Sequence, residues 1–204
     1  MVEKSHTRIL LIGGTSHVGK STLGKAWASK LDWDYIATDS LGKHPGRPWI
    51  TVKNREIKEH VAQHYSTLSV EALLSDVLSH YQKNILPQVK AIIQTATFAN
   101  KCLVIEGSAL YPKFVHHFLE QQIDGIWLTA SDRLLTARIL RESNFYGVDK
   151  DAQYLITKFI ARTLLYNQSL QEDILHLELK SIKLERDLKV EELTDRCSDF
   201  IKGY

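Results

Sequence analysis

The stretch Ile9-Leu10-Leu11-Ile12-Gly13-Gly14-Thr15-Ser16-His17-Val18-Gly19-Lys20-Ser21-Thr22 runs from an apolar segment into two glycines. From Gly14 to Ser21 it fits G-x-x-x-x-G-K-[ST], the pattern of a phosphate-binding loop. The spacing has a chemical reason. Successive backbone N–H groups must curl around a phosphate, and glycine permits φ values and a close approach that a Cβ forbids. In such a loop Gly14, Thr15, Ser16, His17, Val18, Gly19, Lys20, Ser21 and Thr22 surround the polyphosphate of a nucleotide. Lys20 reaches the β- and γ-phosphates, and Ser21 offers its hydroxyl to Mg²⁺. A helix starting near Gly19 turns its positive end to the anion. The competing dinucleotide fingerprint needs G-x-G-x-x-G, which Gly13, Gly14 and Gly19 do not supply.

Composition bounds what surrounds this loop. The 204 residues, 44% hydrophobic and 25% charged, describe one soluble globular domain over 1–204 with enough chain for a full core. A net charge of +2 is too small to argue for a nucleic-acid partner. Cys102 and Cys197 stand far apart in an apolar run and a terminal helical segment, so a disulfide framework is not expected and a reducing, cytoplasmic setting is. The N-terminus has no signal-type apolar core, and no apolar run approaches the ~20 residues of a membrane span. A small-molecule partner is expected, with no nucleic acid and no membrane.

Short apolar runs alternate with longer segments of helical period, the βαβ signature of a parallel sheet covered on both faces. Strands are expected at about 8–12, 35–38, 102–106, 124–128 and 174–179. Between the second and third lies an insertion of roughly 55–100, where Val70, Leu73, Leu74, Val77, Leu78 and Tyr81 recur three and four apart. That spacing predicts helices, with a break near Pro87. Further helices are expected at 131–141 and 155–167, and residues 184–203 read as a charged linker and a last helix.

The loop and this layout together resemble the P-loop small-molecule and nucleoside/nucleotide kinases, the superfamily of shikimate, gluconate and adenylate kinases. The resemblance implies a three-layer α/β domain with strand order 2-3-1-4-5, ATP and Mg²⁺ as cofactors, a helical substrate cap at 55–100 and a short lid at about 138–150. It also implies an acidic residue after the second strand, facing the acceptor, and Tyr35-Ile36-Ala37-Thr38-Asp39-Ser40 supplies Asp39. Members with D-x-D have a first carboxylate where this chain has Ala37. Asp39 can orient and deprotonate an acceptor hydroxyl, or it can simply cap the turn 39–42.

Three further stretches bear on substrate. In Leu41-Gly42-Lys43-His44-Pro45-Gly46-Arg47-Pro48-Trp49 two prolines stiffen a basic loop, and Arg47 suits a carboxylate or phosphate, unless the loop is only a solvated turn anchored by Trp49. The third strand ends in Glu106-Gly107-Ser108, where Glu106 takes the place of a Walker B acid able to hold a Mg²⁺-bound water or to hydrogen-bond a substrate hydroxyl, and Gly107 and Ser108 continue it as a substrate loop, or else the stretch is a capping turn. Arg138 and Arg141, three apart and so on one helix face, resemble the lid arginines of these kinases, with Arg162 as a third choice. Either lid arginine can stabilise charge on the γ-phosphate; the alternative is a solvated cationic face. His60 and His64 have the spacing of a metal pair, but Val61 stands where H-E-x-x-H needs glutamate and no third ligand is obvious, so no metal site is expected there.

The function that follows is a kinase transferring the γ-phosphoryl group of ATP to a hydroxyl of a small anionic metabolite. A nucleoside or nucleoside-monophosphate kinase is the nearest alternative. A nucleotide-switch NTPase is further off: Asp39-Ser40-Leu41-Gly42 matches D-x-x-G, but the guanine-reading N-K-x-D fails at Asn100-Lys101-Cys102-Leu103.

Overall fold

The computed structural model describes residues 8–42, 44–50, 56–119 and 122–198. Lys43 of the basic loop, Arg55 at the edge of the insertion, and the two ends of the chain, 1–7 and 199–204, lie outside the described residues. Five segments line up in parallel: Ile9–Gly14 (β1), Asp34–Ala37 (β2), Leu103–Glu106 (β3), Ile123–Ala130 (β4) and Ser181–Leu184 (β5). Their order is β2-β3-β1-β4-β5, as the resemblance implied.

Alternation along β1 builds both faces. Ile9 and Leu11 enter one core with Leu103 and Ile105 of β3, while Leu10, Ile12 and Val104 enter the other. Lys20–Leu31 (α1) covers the second face through Leu23 and Trp27. The insertion expected to form a cap follows β2 and comprises Glu59–Thr67 (α2), Val70–His80 (α3) and Leu86–Phe98 (α4). The expected break near Pro87 takes the form of a π-helical turn, Tyr81–Ile85, closed by Leu86 N–H to the Tyr81 carbonyl, immediately before proline enters the first turn of α4. After β3 come the short Pro112–Val115 (α5), then β4, Asp132–Glu142 (α6), Lys150–His176 (α7), β5 and Val190–Ser198 (α8). The first face is covered by Val89 and Ile93 of α4 and by Tyr166, Leu170 and Ile174 of α7; Leu193 and Cys197 of α8 join the second.

The strand expected at 174–179 is instead the end of α7 and the turn after it, and the fifth strand is Ser181–Leu184. The helix expected to stop at 167 continues for another nine residues. No glycine or proline interrupts 150–176, and Leu170 and Ile174 extend the stripe begun by Tyr166 against the sheet. The run ends where Glu178 takes a left-handed φ of 52° and Leu179 N–H closes onto the Ile174 carbonyl (3.0 Å). In β5 only Ile182 and Leu184 are buried, a half-buried alternation that the charged residues beyond it mask.

A third core joins pieces distant in sequence. Trp49 of the basic loop, Val61 and Tyr65 of α2, Leu73 of α3, Ile139 of α6 and Phe159 of α7 are all buried together. This cluster holds the cap, the basic loop and the helix of the expected lid around one hollow. Among the described residues no helix is long and apolar enough to cross a membrane.

Candidate active site

At the carboxyl end of β1 the backbone turns through 15–19 into α1. Gly14 (φ 143°) and Gly19 (φ 106°) stand where other residues are strained, and a Cβ on Gly14 would overlap the Leu128 carbonyl oxygen. α1 begins with Gly19 as its N-cap, without a side-chain cap and without an acidic residue in its first turn. Its positive end is therefore left to an external anion. Lys20 is buried, and its Nζ donates to the Thr15 carbonyl (2.8 Å) inside the curl of the loop. Burial lowers the Lys20 pKa; Glu106 and Asp39 raise it again, and Arg47 lowers it. A cradle with no room for a Cβ and a buried ammonium with one carbonyl partner fit the polyphosphate of a nucleotide. Ser16, His17, Val18, Ser21 and Thr22 line the same cleft, whose volume is about 1080 Å³.

The sheet register sets Ile12 beside Glu106 and Glu106 beside Ala37, so β1, β3 and β2 deliver their carboxyl ends side by side. Glu106 is buried, and its Oε1 accepts a hydrogen bond from Tyr35 Oη (2.8 Å). Burial, followed by its bond to Glu106, pushes the Tyr35 phenol well above its usual range, with Ser21 near enough to oppose the shift slightly. Tyr35 thus holds Glu106, one of the two residues expected to serve Mg²⁺, and lies beside Ser21, the other. A hydroxyl and a carboxylate are the oxygen donors that Mg²⁺ prefers, so Ser21 and Glu106 fit such an ion. No spacing pattern singles out Tyr35, and sequence reasoning missed it.

Gly107 (φ 153°) follows Glu106, and a Cβ there would overlap Thr38 Oγ1. Its N–H donates to the Ile12 carbonyl of β1 (3.0 Å), while the closeness of Thr38 packs the turns after β3 and β2 directly on each other. Ser108 lines the cleft, and its carbonyl accepts from the buried Tyr166 hydroxyl (2.6 Å). Asp39 sits in a 3-10 turn, Thr38–Ser40, at the carboxyl end of β2, exposed on the cleft wall. That turn is closed by Leu41 N–H to the Thr38 carbonyl (3.0 Å) and Ser40 Oγ to the Ala37 carbonyl (2.7 Å). The Asp39 carboxylate forms none of these bonds. It faces the cleft near enough to Lys20 to raise that amine's pKa.

Cations also line the cleft. Arg162 of α7 is buried, with its guanidinium 4.5 Å from the Phe159 ring and 5.7 Å from that of Tyr65. Among the described residues it has no carboxylate partner, and it opens on the cleft. Arg47 stacks over Trp49 and pairs with Glu142 at the end of α6. Arg138 donates from Nη1 to the His17 carbonyl (2.8 Å) and from Nε to Asp187 Oδ1 (2.8 Å). Arg141 is largely exposed, with Nη1 3.8 Å from Asp187 Oδ2. The two arginines of the expected lid therefore differ: Arg138 is built into the phosphate loop, and Arg141 is only loosely held. Glu142 and Asp187, which position these cations, were also missed by sequence reasoning.

His17 takes a left-handed φ of 63° and buries its ring against Trp49 and Phe159. Its Nε2 lies 3.1 Å from Glu142 Oε2, outside hydrogen-bonding geometry, so neither ring nitrogen has a hydrogen-bond partner. Burial, then Arg47, Lys20, Arg162 and Arg138, lower its pKa to about 3. Glu142 pulls the other way, but its charge is already engaged by Arg47. The loop thus carries a neutral imidazole.

No family model matches the chain, and no curated protein sequence matches it. Solved structures share its architecture. A shikimate kinase from Aquifex aeolicus superposes with a TM-score of 0.53 at 11% identity, over 93% of this chain and 94% of that one. A sugar kinase from a Janibacter species does so with a TM-score of 0.53 at 16% identity, over 95% of this chain and 94% of that one. With five parallel strands in the order β2-β3-β1-β4-β5 and a phosphate loop between β1 and α1, the chain has the fold of the P-loop kinases.

Proposed function

We propose that this protein is an ATP-dependent kinase that phosphorylates a hydroxyl of a small anionic metabolite, acting in the cytoplasm with free Cys102 and Cys197. The observation that carries the proposal is Asp39, a carboxylate not used by its own turn that shares one cleft with Lys20 and the phosphate loop. Bound ATP with Mg²⁺ would supply the phosphoryl group and offset its charge, held by the loop 14–22 and by Ser21 and Glu106. Lys20 leaves the Thr15 carbonyl to meet phosphate oxygens, and Arg138 or Arg141 meets charge that spreads over them as transfer proceeds. Asp39 orients the acceptor hydroxyl and takes its proton onto a carboxylate oxygen as the oxygen attacks. Arg162, a buried guanidinium with no carboxylate partner among the described residues, favours an acceptor carrying negative charge, with Arg47, Gly107 and Ser108 on the walls around it.

The test is an ATP-consumption screen against hydroxy acids, sugars, nucleosides and nucleoside monophosphates, with phosphorylated product identified by mass. Turnover with an anionic hydroxy compound supports the proposal. Exclusive turnover with nucleoside monophosphates would move it to that class, where the acceptor is already ionised and Asp39 has no proton to take.

A further inference from the structure

Away from the phosphate loop, three segments bring metal-ligating side chains to one point. His44 comes from the basic loop, His64 from α2 and Asp76 from α3, and one donor atom from each lies within 4.8 Å of the other two. Asp76 Oδ2 is 3.2 Å from His44 Nε2 and 3.9 Å from His64 Nε2. His64 Nε2 is buried and has no hydrogen-bond partner. The two imidazole rings meet edge to face at 5.4 Å.

We propose that His44, His64 and Asp76 bind one divalent transition cation of the Zn²⁺ class, clamping the basic loop to the cap. Two imidazole nitrogens and one carboxylate oxygen form the donor set of a three-ligand zinc site, and a fourth position remains for water. Mg²⁺ and Ca²⁺, which favour oxygen donors, do not suit it. Tetrahedral coordination at ordinary bond lengths would draw the donors to about 3.3 Å of one another. The carboxylate offsets half of the ion's charge, while Arg162 opposes it from the cleft side. His80, whose ring is 5.2 Å from that of His44, has its Nδ1 3.0 Å from Asn84 Nδ2 and lies outside the group. His60, the partner suggested by helical spacing, lies outside the group. The clamp would fix the loop three residues before Arg47, and the binding claim stands whether or not the protein is a kinase.

The experiment uses the full chain, stripped with a chelator and titrated with Co²⁺, followed by displacement with Zn²⁺. The expected result is a saturable ligand-field band of four-coordinate intensity at one equivalent, with no competition from Mg²⁺. His64→Ala and Asp76→Ala should each weaken binding at least about 10-fold, the loss typical even of an outer-shell partner, and His60→Ala should leave it unchanged. Asp76 is exposed, so circular dichroism should report an intact fold in its variant. A wild-type chain without a saturable band overturns the proposal, as does an Asp76→Ala variant of wild-type affinity. Loss of binding in His60→Ala equal to that in His64→Ala would assign the ion to the α2 pair and overturn it too.

Discussion

Arg138 reaches from α6 to donate to the His17 carbonyl at 2.8 Å, so the helix of the expected lid and the phosphate loop share a hydrogen bond, while Asp187 holds the other edge of the same guanidinium. An arginine so placed supports the loop, and in the proposed phosphoryl transfer it would stand next to the charge that develops. Arg138→Ala is expected to lower kcat about 10²–10³-fold in steady-state kinetics with ATP. Asp187 is exposed, and Asp187→Asn should stay within a few-fold of wild type, since a surface ion pair contributes little.

Lys20 is buried, and among the described residues its one hydrogen bond is to the Thr15 carbonyl, so the core does not depend on its charge. Lys20→Ala should keep the wild-type circular dichroism and thermal midpoint to within a few degrees, yet lose about 10²–10³-fold in turnover. Wild-type turnover in this variant would contradict the assignment of the loop.

At Gly107 a methyl group meets Thr38, and the φ of 153° is strained for any other residue. Gly107→Ala should cost about 2–3 kcal/mol in urea unfolding. Adding Thr38→Ala should recover only part of this, because the hydroxyl is removed while the Thr38 Cβ (2.8 Å from the added carbon) and the backbone strain remain.

His17 makes stability depend on pH. Its folded pKa of about 3 lies below the ordinary 6.5, so as pH falls the unfolded chain takes up the proton first. Its contribution is intact above about pH 6.5 and is lost between there and about pH 3, at up to about 1.4 kcal/mol per pH unit. Urea unfolding at pH 7.5, 6 and 5 should show this decline. His17→Asn, which tolerates the left-handed backbone, should flatten it. Some slope should persist, since burial and then Arg162 lower His44 to about 4 as well.

What the sequence disclosed and what it hid divide by locality. The phosphate loop, the carboxylates at 39 and 106 and the helices of the cap are patterns within a few residues, and the strand order came with the resemblance that the loop anchors. The end of α7 was lost because Ile174, Leu175, Leu177 and Leu179 read equally as strand alternation or as a helical stripe until Leu170 and Tyr166 are seen packing on the same face. Tyr35 between Ser21 and Glu106, Glu142 on Arg47 across 95 residues, and Asp187 on Arg138 across 49 are contacts that no spacing rule reaches. The same holds for His64, whose neighbours His44 and Asp76 lie on other segments.

Asp39 separates hydroxyl transfer from its rivals. Its carboxylate makes none of the bonds that close the turn it occupies, and it lines the same cleft as Lys20, near enough to raise that amine's pKa. If it aligns and deprotonates the acceptor, Asp39→Asn should bind ATP as the wild type does, since the loop 14–22 is untouched, and should lose about 10²–10⁴-fold in kcat. A parallel rise in acceptor KM would add ground-state binding to its role. Asparagine suits a turn nearly as well as aspartate, so a purely structural Asp39 predicts little loss in either constant. ATP affinity from calorimetry and kcat from initial rates, measured on the same preparation, decide between the two. Turnover retained within a few-fold would remove the general base and leave a nucleoside-monophosphate acceptor as the better account of the cleft.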